Sequence, residues 1–382
     1  MPQPIAHYWV IENALNDLSN QNRSKLWYNY RNYSVFGSIL PDLMYMSGVP
    51  QVGWMTTKGP AVDYSHISEV MHWDGFLDFY CAMLDYIKQL PEDKTKDKLK
   101  AFSFGVASHY AADADVHPRV YSTTGDHPFS HEPDKSYIKH KESESLQDIV
   151  IVGKRGETYR EFNYGNKFIC HAQDSNRTLD VDIFKLIIHG FEKAYAGKIF
   201  DNYGIDYERT FKALEGTSRH PLLESYRDLV TLYKKFSNYS SLIPLARGFP
   251  LFPQRFKVLL PRVRIPVTDL HKIDPDPRQK WVQSNNKNIP DLSFPELLDL
   301  AVVDTKAIIT ESEKFFDSEY TSSRRYFSDK SQNVPILRDN WNQDTGNLAI
   351  WNGEIKKLET PKARLECHLE EIVERYEWAK AA

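Results

Sequence analysis

Apolar residues recur at helical spacing over residues 5–18, 67–90 and 99–116, with a turn at Pro91, Glu92 and Asp93 between the last two. Stretches 181–196, 222–236, 294–316 and 363–379 carry the same period, and Asp or Ser stands near several of their starts, where an N-cap is wanted. The pattern predicts a mainly α protein. Two short β-like runs, 148–152 and 158–162, flank Lys154, Arg155 and Gly156 and are expected to form a hairpin. Between residues 242 and 275 prolines return every few positions, which excludes a continuous helix and predicts an extended wrap. A soft boundary there separates a helical domain, residues 1–242, from a Pro-rich wrap plus C-terminal helices, 243–382, expected to pack on the same core.

With 382 residues, 41% hydrophobic and 26% charged, the chain can bury a sizeable core. A formal net charge of −4 lacks the basic face that duplex nucleic acid demands, so no duplex partner is expected. Cys81, Cys170 and Cys367 are too widely spaced for a metal knuckle and are read as buried apolar residues. The N-terminal stretch shows no leader pattern and no run of about 18 apolar residues occurs, so the expected location is cytoplasmic as written, or secreted if a leader was removed.

The densest chemical signal is FGVASHYAADADVHPRV, where His109, Asp113 and His117 fall at i, i+4 and i+8. That spacing advances only ~40° per step, so the three side chains share one stripe of a helix. Imidazole nitrogen and carboxylate oxygen in such an array suit zinc. Ala107, Ser108, Ala111, Ala112 and Ala114 are small and let neighbouring segments approach. His140 and Glu144 form a second pair four residues apart, and His7, Asp42 and His72 precede the triplet. Asp115, Glu142 and Asp148 are expected behind these groups or in solvent, and His127 and His131 in structural positions or near a pocket mouth.

These pieces carry a resemblance. An early His7, the G-x-x-x-P-D turn ending at Asp42, S-E-x-x-H-W through His72, the long helix motif 101–117 and the H-x-x-x-E pair of His140 and Glu144 occur in that order. The first ~150 residues thus resemble the zinc-dependent phospholipase C family, especially its glycosylphosphatidylinositol-specific phospholipase D branch. The resemblance implies a multi-helix zinc-dependent phospholipase C or single-strand nuclease-like fold, mainly α with a few short strands. It implies two to three zinc ions. Asp42, His72, His109 and Asp113 would hold one and His117, His140 and Glu144 another, while Asp113 would bridge to a third at His7, shared with the amine and carbonyl of a processed first residue. Asp42 would also serve as catalytic base or orienter of the attacking water. The implied activity is cleavage of a phosphodiester in a phospholipid or related glycolipid. The alternatives are a single-strand nuclease or nucleotidase, and a non-catalytic zinc protein.

Residues 45–64, rich in Gly and Pro around Trp54 and Met55, are expected to form a loop, either over the metals or against an acyl chain, or simply packed on the surface. Arg247, Arg255, Lys257, Arg262 and Arg264 lie amid Phe and Leu and would either pack across the helices or make a transient contact with an anionic membrane surface.

Overall fold

The structure is a computed structural model that describes residues 4–18, 21–47, 64–124, 144, 147–148, 151, 179–197, 199–202, 204–214, 216–217, 219–238, 294–330 and 333. Its helices are α1 (Pro4–Asp17), α2 (Gln21–Gly37), α3 (Ser65–Trp73), α4 (Phe76–Lys88), α5 (Lys94–Thr124), α6 (Val181–Ala194), α7 (Ile199–Asn202), α8 (Tyr207–Thr210), α9 (Pro221–Asn238), α10 (Phe294–Asp317) and α11 (Ser323–Asp329). Two 3-10 turns, Leu43–Met46 and Lys212–Leu214, complete the order. The class is mainly α, with no sheet among the described residues. No described helix is long and apolar enough to cross a membrane.

Helix α5 is the axis of the fold and packs against α2, α10, α4 and α1. Its Phe102, Phe104, Val106, Tyr110 and Val116 are fully buried, so this helix is covered on nearly all sides. Helix α5 runs on through Pro118, although a proline there cannot donate to Ala114. Helix α10 lies against both α5 and α1 through buried residues that include Leu297, Ala301, Ile308 and Phe315. The crossing of α2 and α5 is a close one. A Cβ on Gly105 would stand 1.9 Å from the Ser34 carbonyl oxygen, and one on Gly37 would stand 2.1 Å from that of Phe102. Two bare backbones therefore touch where any side chain would hold them apart.

Several elements differ from the periodicity. The apolar run 67–90 divides into α3 and α4, because Gly75 adopts φ +70° and starts a new helix direction after Asp74. Helix α2 has no clean apolar stripe in QNRSKLWYNYRNYSVFG and is kinked at Tyr30, which is why spacing alone does not reveal it. Asp148 and Ile151 are helical and buried instead of extended. A short apolar run reads alike as buried helix or strand, and here the tertiary partners decide. Residues 158–162, 242–275 and 363–379 lie outside the described residues.

Candidate metal centre

Five segments converge at the middle of α5. His7 comes from the first turns of α1, Asp42 from the bend just before the 3-10 turn, His72 from the last turn of α3, and His109, Asp113 and His117 from successive turns of α5. Glu144, itself helical, faces His117. The glycine crossing sets this up: it brings the end of α2 so close to α5 that the Ser38 carbonyl accepts a hydrogen bond from His109 Nδ1 at 2.8 Å. Ser68 ties the other side together. Its hydroxyl accepts the Met44 amide at 3.1 Å, steadying the turn after Asp42, while its carbonyl accepts His72 Nδ1 at 2.6 Å.

A carbonyl oxygen only accepts, so His72 and His109 each carry their proton on Nδ1 and present a bare Nε2 lone pair to the centre. Those two Nε2 atoms are 3.2 Å apart. Asp113 Oδ2 lies 3.2 Å from His72 Nε2 and 3.1 Å from His109 Nε2, and Asp42 Oδ1 lies 3.3 Å from His72 Nε2. Ligands about 2.0 Å from a tetrahedral zinc ion are separated by ~3.3 Å, which is close to the mutual spacing of the His72, His109 and Asp113 donor atoms, with Asp42 Oδ1 beside His72. The other oxygens look the opposite way. Asp113 Oδ1 is 3.4 Å from His7 Nε2 and 3.8 Å from His117 Nε2, Asp42 Oδ2 is 3.8 Å from His7 Nε2, and His117 Nε2 is 3.5 Å from Glu144 Oε1. The His7 and His109 rings stack at 4.1 Å.

Electrostatics sharpen the point. Burial pushes the Asp113 carboxyl up, but the pull of the imidazoles around it, His109 and His117 first and then the contacts from His109 and His72, outweighs burial and holds the group well below the usual carboxylate range. Asp42 is lowered in the same way, with burial again opposed by His109 and His72. Burial, reinforced by His109, lowers His7 to about 3, so that ring is neutral. Although fully buried, Asp113 has no hydrogen-bond partner on either oxygen and His7 none on either ring nitrogen among the described residues. Buried ionised carboxylates facing bare nitrogens repel one another unless a cation lies between them. The donor set fits zinc.

Of the eight residues singled out from the sequence, His7, Asp42, His72, His109, Asp113, His117 and Glu144 are brought together, and His140 lies outside the described residues. So do Glu142, His127, His131, residues 48–63, Cys170 and Cys367. Cys81 is a buried free thiol, raised to about 12 by burial. Asp115 and Asp148 are fully buried, which removes solvent as their setting. Sequence reasoning missed the anchoring carbonyls of Ser38 and Ser68, since a backbone acceptor leaves no side-chain signature. The small residues of α5 signalled a close approach, and Gly37 and Gly105 mark where it occurs.

A family model described as zinc dependent phospholipase C matches residues 6–197. The chain is 36% identical over 84 residues to phosphatidylinositol-glycan-specific phospholipase D of Mus musculus, covering 21% of this chain and 8% of that one. Against the protein of the same name from Homo sapiens it is 26% identical over 216 residues, 54% of this chain and 21% of that one. The chain therefore matches only about a fifth or less of the length of these curated relatives. No solved structure matches it.

Proposed function

From the fact that this chain belongs to the zinc dependent phospholipase C family, we propose that it hydrolyses a phosphodiester bond in a phospholipid or related glycolipid. The observation that supports this reading is the buried cluster in which the His72, His109 and Asp113 donor atoms stand 3.1–3.2 Å apart with the Asp42 carboxylate beside them. His72, His109, Asp42 and Asp113 would hold one ion, His117 and Glu144 with His140 another, and His7 with the second oxygen of Asp113 a third. When bound, zinc would supply a lowered water pKa and a clamp on the phosphate oxygens.

The chain's own groups do the rest. The Asp42 side chain is 5% exposed against 0–1% for the histidines and Asp113, so it is the carboxylate at the outer edge of the centre. There it orients the attacking water and accepts its proton. The carbonyls of Ser38 and Ser68 keep His109 and His72 in the tautomer that leaves Nε2 unprotonated. An all-nitrogen and oxygen donor set is typical of open, reactive sites, whereas structural zinc sites are usually cysteine-rich.

The test is product analysis of purified, zinc-loaded protein offered a panel of phospholipids and glycolipids beside single-stranded DNA. A phosphorylated head group or phosphatidic acid released from the lipids supports the proposal. Turnover of DNA alone, or of neither substrate, overturns it.

A further inference from the structure

We infer that Asp148 is the positioning residue for His7. Among the three histidines nearest Asp113, two are oriented by a carbonyl: His72 by Ser68 and His109 by Ser38. Among the described residues His7 has no such anchor: neither ring nitrogen makes a hydrogen bond there, and the ring stacks on His109. Its place must come from the backbone that carries it. That backbone is the first turn of α1, whose amides have no partners within the helix. Helix α1 opens with Pro4 and has no acidic residue in its first turn. The missing acceptor arrives from far along the chain: Asp148 Oδ1 accepts the Ala6 amide at 3.0 Å and Oδ2 lies 3.4 Å from the Ile5 amide.

The Asp148 carboxylate is fully buried, so it meets these amides without competition from water, and its charge suits the positive end of the helix. It also links two parts of the centre. Glu144, Gln147, Asp148 and Ile151 are all helical and buried, at the i, i+3, i+4 and i+7 spacing of one face. On that face Glu144 reaches His117 and Asp148, one turn on, grips the residues just before His7. The clamp thus sets the distance of His7 from Asp113 by holding α1 in register with the Glu144 segment.

This inference rests on the metal reading for its zinc consequence, and the experiment separates the two. The His7 ring signal, assigned by its loss in His7→Ala, is followed by proton–carbon correlation NMR in the metal-free protein, and zinc content and release to a chelator are measured in parallel. Asp148→Ala should shift or broaden the signals of His7 and of the His109 ring stacked on it while leaving that of His72 in place, and should lower bound zinc by about one ion per chain. Asp148→Asn, nearly the same shape, should keep the fold yet release its most labile ion about tenfold faster. Zinc loss in the double variant His7→Ala with Asp148→Ala should not exceed that in His7→Ala alone. If Asp148→Ala does not fold, the Asn variant decides. An unmoved His7 signal with wild-type zinc release overturns the assignment, as does additive loss in the double variant. A wild-type protein that binds no zinc overturns the proposed function instead, and the His7 signal still tests the clamp.

Discussion

Replacing Gly105 by Ala should damage stability and the metal centre together, although the residue touches no ligand side chain. The new Cβ would lie 1.9 Å from the Ser34 carbonyl oxygen, 2.8 Å from the Ser38 amide nitrogen and 2.9 Å from the Gly37 Cα, all backbone. No side chain can rotate away, so α2 and α5 must separate. Reaching ordinary contact requires about 1.5 Å of movement, and overpacking of this kind costs at the upper end of its usual range, about 3 kcal/mol. At 2–4 °C per kcal/mol for a domain of this size, the unfolding midpoint should fall by roughly 6–12 °C. The same displacement lengthens the 2.8 Å bond from His109 Nδ1 to the Ser38 carbonyl past any useful distance. Loss of such an orienting partner weakens zinc binding by about 10- to 100-fold. Thermal unfolding in chelator reads the first effect, and competition with a chromophoric chelator reads the second. Gly37→Ala, aimed at the Phe102 carbonyl from the opposite helix, should behave alike. A Gly105→Ala protein with a midpoint within about 2 °C of wild type and unchanged zinc affinity would refute the idea that the crossing positions His109.

Protein grown in zinc-replete medium should carry two to three zinc ions by elemental analysis and lose turnover on chelation; under one ion per chain would contradict this. Asp113→Asn should be the most harmful single change at the centre, because its two oxygens face different histidines; the expected outcome is loss of at least one ion and at least about 100-fold in rate. Burial among Phe184 and Phe211 lowers His220 to about 4, so the unfolded chain binds a proton that the fold refuses between that value and about 6.5. Stability is then full above pH ~6.5 and declines as pH falls towards 4, by on the order of 3 kcal/mol in total. His220→Asn keeps an acceptor for the Leu222 amide but cannot titrate, and its midpoint should fall less than that of wild type over this window. Parallel midpoint curves from pH 7 to 4.5 would exclude His220 as the source.

Much of this protein is legible in its residue order. Helices α1, α5, α6, α9 and α10 follow from apolar period, and the stripe of His109, Asp113 and His117 follows from 3.6 residues per turn, because both are local consequences of backbone geometry. The likeness of residues 101–117 to a known zinc motif added the remaining donors in order, without saying how far apart they stand. Distance was decided only in three dimensions. Asp42 and Asp113 each turn their two oxygens towards different histidines, a choice that depends on where α1, α2 and α3 sit around α5. The break at Gly75, the helical state of Asp148 and the amides it caps 142 positions away likewise depend on partners remote in the chain. A period in the sequence records which face of a segment is buried, whereas the partner of a buried polar group is set by whichever backbone the packing brings within about 3 Å.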